Sequence, residues 1–382
     1  MPRLAPHIPG VPASGIRRIY EIAITLDDVV MLAIGEPDVP VAEHIGAAAI
    51  EAWRRDDTNY TANGGIPPLR EAIRRKLARD NGIEVGHDRI WATVGGTQAL
   101  HLAMQLTLFP GDEVLVPDPG YTTFTMNAAI LGARAVPYPL RPENGFLPDL
   151  AELESLVTDR TRLVVVNSPS NPLGAVFPRE TLQGILDLAR RHDFWVLSDE
   201  VYERLLWDGE EHVSIASLDR DDRVFSVFSL SKTYAMTGIR VGWLVTPPGL
   251  EDTLRSLQEA TISCLPTPDQ WAGVAAIEGD QSAVEVARGH YRGNLAAARE
   301  LLDARGIRYL DPRGAFYLWI DVSYDSAGDV AAWAERFLRE QGVAVAPGSA
   351  FGRQGEGWIR VCLAATRDDL LTGLGRLPLP AA

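Results

Sequence analysis

The sequence predicts an α/β protein with a mostly parallel central sheet flanked by helices, followed by a smaller α+β domain. Two observations lead there. Short, nearly continuous apolar runs alternate with amphipathic, helix-length stretches through the middle of the chain, as in a sheet covered on both faces. The last hundred residues break that alternation. A chain of 382 residues, 46% hydrophobic, is long enough to bury a large core and divide into one large and one smaller domain.

Expected strands are 112–117, 133–138, 163–167, 195–198, 224–228 and 241–245, each bounded by turn residues or a polar end. Helical periodicity falls at 97–108, 121–131, 179–192 and 248–261. Beyond residue 280 the pattern reads as a helix at 283–305, a strand at 314–320, a helix at 329–340 and short strands at 343–346 and 358–363. The expected division is therefore 1–44 as a loop-rich segment packing with the small domain, 45–280 as the large domain and 281–382 as the small one.

The formal net charge of -15 argues against nucleic acid or an anionic membrane as the main partner. Cys264 and Cys362 lie far apart, without metal-type spacing, which fits a reducing, cytoplasmic setting. Met1 to Gly15 is proline-rich and lacks the apolar core of a signal peptide, and no stretch has the length of a membrane span.

Lys232 carries the chemistry. It lies in Ser229-Leu230-Ser231-Lys232-Thr233-Tyr234-Ala235-Met236-Thr237-Gly238-Ile239-Arg240, between the apolar runs 224–228 and 241–245. Desolvation and a neighbouring cation both lower a lysine's pKa and make it a nucleophile. Ser229, Ser231 and Arg240 suit a phosphate. An amine beside a phosphate site points to pyridoxal phosphate.

Other segments place polar groups at strand or loop ends, and each has an ordinary structural alternative. Gly95-Gly96-Thr97 opens a helix, where backbone amides bind phosphate, or is simply a glycine-rich helix start. Asn171, in Asn167-Ser168-Pro169-Ser170-Asn171-Pro172-Leu173-Gly174, offers an amide outside the carboxyl end of the sheet, or belongs to a turn. Asp199 ends an apolar run and either caps the next element or pairs with a pyridine nitrogen, strengthening an electron sink. Tyr202 lies three residues on, within reach of a ring oxygen. Tyr121 stacks on a cofactor or packs in a core. Arg360, among apolar neighbours, needs an anion: a structural partner or a substrate carboxylate. Tyr60 is a loop aromatic before Gly64-Gly65. Their joint occurrence in one order favours a site.

Taken together, the chain resembles the class I/II aminotransferases, the fold-type I pyridoxal-phosphate enzymes of the aspartate aminotransferase superfamily, from about Ile34-Gly35-Glu36-Pro37-Asp38 to Arg360. The resemblance implies a fold-type I PLP-transferase with Lys232 as the Schiff-base lysine and Asp199 on the ring nitrogen. Tyr202 and Asn171 would bond the ring oxygen and Tyr121 would stack on the ring. Gly95, Gly96, Thr97, Ser229, Ser231 and Arg240 would hold the phosphate. Tyr60 would reach the phosphate of a neighbouring subunit in a homodimer with shared sites. Arg360 would take the substrate α-carboxylate, and the Gly35 backbone would close over it. The implied reaction is ping-pong transfer of an amino group between an L-amino acid and a 2-oxo acid. C–S lyase or synthase chemistry and decarboxylative or oxidative deamination share such a site. A ligand-sensing regulator would need a DNA-binding domain for which the sequence offers no room.

Leu173 stands where the family usually has threonine, and Ser170 replaces a common asparagine. Relatives acting on dicarboxylic amino acids use a further basic group for the distal carboxylate. Arg17 and Arg18 are the candidates here.

Overall fold

The computed structural model describes residues 5 and 7–380, so the ends of the expected segments 1–44 and 281–382 lie partly outside the described residues. Its central sheet has seven strands: β1 Ile90–Val94, β2 Glu113–Asp118, β3 Arg134–Pro139, β4 Thr161–Asn167, β5 Trp195–Asp199, β6 Val224–Ser229 and β7 Val241–Val245. Their spatial order is β1-β7-β6-β5-β4-β2-β3. All neighbours are parallel except β7, which runs antiparallel to β1 and β6. Runs such as Leu163-Val164-Val165-Val166 are buried on both faces, because helices cover the sheet on each side.

Six of the seven strands match the expected runs to within two residues at each end. β1 was not among them. Its run Ile90-Trp91-Ala92-Thr93-Val94 is only five residues long and leads directly into the glycines that open the next helix, so no turn separates it from that helix. The helices Glu43–Arg54, Pro67–Lys76 and Thr267–Glu278 are likewise additional. The expected strand 343–346 divides at Val345. Val343–Ala344 pairs in parallel with Val30–Met31, and Ala346–Pro347 joins a second sheet. The chain changes partners there, so one apolar run serves two sheets.

That second, antiparallel sheet contains β8 Tyr309–Leu310, β9 Tyr317–Asp321, β10 Ala346–Pro347 and β11 Trp358–Cys362, in the order β10-β11-β9-β8. Helix Gly15–Ala23 packs against helix Val330–Gln341, and Arg18 pairs with Glu335 across that contact. Among the described residues no helix is long and apolar enough to cross a membrane.

Strand direction positions the site. β4, β5 and β6 end at Asn167, Asp199 and Ser229 on one edge of the sheet, with Asn167 opposite Asp199 in register. β7 runs the other way and therefore starts at that edge, so Arg240 arrives beside Ser229. β1 delivers helix Gly95–Thr107 to the same place. Gly242 lets this helix start approach closely, since a Cβ there would lie 2.8 Å from Gly95 C and Gly96 N.

Candidate active site

At this edge lies a cavity of about 540 Å³, bounded on its other side by the N-terminal helix and by β9 and β11. Lys232 follows β6 on the short helix Leu230–Thr233, and its Nζ donates to the Gly35 carbonyl oxygen at 2.7 Å. Burial pushes its ammonium down to about 8, and Arg360 and Arg240 act in the same direction against Cys362 and Glu36. The loop thus holds an amine that is readily deprotonated near neutrality.

One end of the cavity is built for an anion. Gly96 and Thr97 open helix Gly95–Thr107, where backbone amides lack carbonyl partners. Gly95 has φ of +70°, and a Cβ on it would collide with the Arg240 guanidinium, so glycine is what lets the arginine lie against the helix start. Arg240 itself has φ of +62° and donates from Nη1 to the Thr237 carbonyl at 2.7 Å. Ser229 Oγ donates to Ser231 Oγ at 2.9 Å and accepts from Ser231 N at 3.1 Å. Two hydroxyls, a guanidinium and a helix N-terminus together form a cradle with the chemistry to hold a phosphate.

At the other end Asp199 closes β5. Burial pushes its carboxyl up to about 7, with adjacent Glu200 adding to the rise and the Val201 N–H and Lys232 opposing it. The Asp199 carbonyl accepts from Asn167 Nδ2 at 3.1 Å, and Asn167 Oδ1 accepts from Asn171 N at 2.8 Å. This chain of bonds fixes the loop that carries Asn171. Tyr202 and Tyr317 share a 2.7 Å hydroxyl–hydroxyl bond, and burial holds both phenols well above their ordinary value.

Arg360 enters from β11. Nη1 donates to Asn171 Oδ1 at 2.8 Å and Nη2 to the Ala33 carbonyl at 2.5 Å. Its guanidinium lies 4.4 Å from the Tyr317 ring centroid and 4.9 Å from that of Phe351, and Nε has no partner. No carboxylate pairs with this buried guanidinium, so the structural salt bridge considered from sequence is absent among the described residues. Its charge faces the cavity.

Of the residues singled out in the sequence, Gly35, Gly96, Thr97, Tyr121, Asn171, Asp199, Tyr202, Ser229, Ser231, Lys232, Arg240 and Arg360 line this one cavity. Gly95 lies directly behind it. Tyr60 does not join it and stands 89% exposed on the surface. Arg17 lines the cavity, whereas Arg18 points to Glu335 and a separate cleft, which removes it as a candidate. Leu173 is fully buried, and Ser170 Oγ accepts from Ala175 N at 3.2 Å, so both departures serve the turn. The sequence reading missed Asn167, Glu36, Tyr20 and Tyr317. Asn167 carried a usable signal as the polar end of a buried strand. Tyr317 carried none within an apolar run.

The family described as aminotransferase class I and II matches residues 27–377. The chain is 37% identical to an aspartate aminotransferase of Pyrococcus abyssi over 371 residues, 96% of this chain and 95% of that one. It is 38% identical to an aspartate/prephenate aminotransferase of Thermus thermophilus over 352 residues, 91% and 90% of the two chains. The solved structure of Thermus thermophilus aspartate aminotransferase with maleate superposes with a TM-score of 0.93 at 36% identity, covering 98% of this chain and 99% of that one. With this fold and this cavity, the chain belongs to the class I and II aminotransferase family and is an aminotransferase.

Proposed function

We propose that the cavity holds pyridoxal 5'-phosphate, attached to Lys232, and moves an amino group between an L-amino acid and a 2-oxo acid. One observation carries this reading. A lysine amine, a buried carboxylate and an anion cradle line a single cavity, the three kinds of group that the aldehyde, ring nitrogen and phosphate of such a cofactor call for. Bound there, the cofactor supplies an electron sink for the electrons left at the substrate Cα.

The residues divide the remaining work. Lys232, with its ammonium pushed down to about 8, would accept the substrate Cα proton as general base and, once protonated, would serve as the general acid. Asp199 faces the ring nitrogen and is held ionised by a positive charge there. Asn171 and Tyr202 hold the ring oxygen, and Tyr121 covers a ring face. Gly95, Gly96, Thr97, Ser229, Ser231 and Arg240 hold the phosphate. Arg360 grips the substrate α-carboxylate, oriented by Asn171 and Ala33, while the Gly35 backbone closes over the substrate. Arg17, at the mouth beside Tyr20, takes the distal carboxylate of a dicarboxylic amino acid or oxo acid. Its present partner is Glu21, an exposed i,i+4 pair that exchanges at little cost.

The working unit is a homodimer in which Tyr60 reaches the partner's phosphate. Supporting this, Tyr60 has an exposed ring, and Trp53 and Ile50 on helix Glu43–Arg54 are also exposed. Residues 45–280 are read as the cofactor-binding domain and 281–382 as the small domain, supported by the two separate sheets. Free Cys264 and Cys362 fit a cytoplasmic setting.

The test is reconstitution of the purified protein with pyridoxal phosphate, followed by a panel of amino donors. Wild type is expected to gain a visible absorbance band that donors convert, releasing the matching oxo acid. Lys232→Ala is expected to lose the band and turnover by at least about 10³-fold. Retention of both by that variant rejects the assignment. A donor that bleaches the band without yielding its oxo acid points to lyase chemistry instead.

A further inference from the structure

Directly after Asp199, Glu200 turns away from the cavity and is only 1% exposed. Its backbone N–H donates to the Val227 carbonyl at 2.9 Å, which fixes it to β6. Its Oε2 accepts from Ser214 Oγ and bonds His212 Nε2 at 2.8 Å, while Oε1 has no partner. Two adjacent buried carboxylates cannot both remain charged without a cation nearby.

The charged groups around His212 leave Glu200 one choice of counter-ion. His212 borders a cleft of about 640 Å³ whose wall comes from several elements. Lys76, from helix Pro67–Lys76, pairs with Glu203. Arg79 and Arg204 both pair with Asp80. Arg288 pairs with Glu285, and Glu278 is taken by Arg75. On the loop that carries His212, Glu210 pairs with Arg313, while Glu211 is exposed and can only favour a cation. Each lysine or arginine at the cleft is thus committed to a carboxylate other than Glu200, and among the described residues His212 is the one basic side chain bonded to it.

We propose that protonated His212 is the counter-ion of Glu200, and that this pair sets the electrostatic field behind Asp199 and hence at the cofactor in front of it. The inference rests on the reading that pyridoxal phosphate lies in the cavity with its ring nitrogen on Asp199. With His212 charged, Glu200 is neutralised and Asp199 is the one net negative charge at the ring end. Without that charge, a second negative charge acts on the ring and on the lysine linkage. Burial and the Glu200 charge already push the Asp199 carboxyl in the same upward direction, so the two carboxylates sense each other. His212 and Glu200 are positioning residues: neither touches the cofactor.

The test is a pH titration of the visible band of the lysine-linked cofactor in reconstituted protein. His212→Gln keeps a hydrogen-bond donor but removes the positive charge, so the midpoint is expected to rise. Glu200→Gln removes the negative charge, so the midpoint is expected to fall. Each shift is on the order of half a pH unit, and the double variant returns towards wild type. Shifts in the same direction, or none, overturn the proposal, because a packing defect has no reason to follow the sign of the charge removed. If Glu200→Gln does not fold, His212→Gln decides alone, and an unmoved or lowered midpoint overturns the proposal. Wild-type protein that never acquires the band refutes the cofactor reading instead.

Discussion

Lys232 Nζ and the carbonyl oxygen of Gly35 are joined by a 2.7 Å hydrogen bond that ties the loop after β6 to the N-terminal segment, 197 residues away in sequence. The bond leaves no room on the far side of Gly35. A Cβ there would run into the hydroxyl of Tyr317, the partner of Tyr202. Gly35→Ala must therefore move either the segment over the cavity or the tyrosine pair beneath it. We expect it to lower kcat about 10- to 100-fold, with a stability loss of about 1–3 kcal/mol. Steady-state kinetics and urea melts measure the two, and wild-type kcat would show that the segment is not tightly held.

Arg360→Lys keeps the charge but loses the planar fork that serves Asn171 and Ala33 at once, and the stack on Tyr317. Lysine reproduces one of these contacts at most. We expect the amino acid KM to rise about 10- to 100-fold, with a smaller fall in kcat. An unchanged KM would remove Arg360 from the α-carboxylate role.

The cofactor-free protein is expected to be least stable between about pH 7 and 8. Asp199 has its carboxyl raised from 3.8 to about 7, so over that window the folded state binds more protons than the unfolded one and stability falls as pH rises. Lys232 is lowered from 10.5 to about 8, so from there upward the unfolded state binds more protons and stability recovers. Asp199→Asn removes the falling limb. It is expected to stabilise the cofactor-free protein at pH 8 by on the order of 3 kcal/mol while weakening cofactor binding. Urea midpoints across pH test this, and equal pH profiles for variant and wild type would contradict it.

Arg17→Ala separates substrate classes. The loss of one charge-assisted contact is expected to raise KM about 10-fold for dicarboxylic substrates and to leave apolar amino donors unchanged, since Ile16, Ile34 and Leu100 still line the cavity. An equal effect on both classes would assign Arg17 to the N-terminal helix rather than to the substrate.

Much of the site was legible because strand ends are chemically abrupt. Asp199 and Ser229 each follow an apolar run, and a polar residue at such a point stands either in a turn or at a ligand. Tyr317 shows the limit of this reading. It lies within the apolar run of β9, and its role comes from register: Tyr317 is paired with Cys362, which puts it diagonal to Arg360 on the same face of the sheet. Arg17 and Arg18 are adjacent in sequence, and only the docking of helix Gly15–Ala23 sends one to the cavity and the other to Glu335. The missed strand β1 matters in the same way, because it brings Gly95 and Gly96 to the phosphate cradle.

By itself the sequence determined the type and order of most elements, the polar residue that ends each core strand, and, through the segment from Ser229 to Arg240, the family. Those are local properties, carried by periodicity, propensity and short spacing. The tertiary structure alone decided that the start of β7 meets the end of β6, that Arg360 lies on Asn171 and Tyr317, and that His212 meets Glu200 behind Asp199. Strand direction and cross-sheet register join segments tens to hundreds of residues apart, and they follow from packing the whole core at once, which no local window of sequence contains.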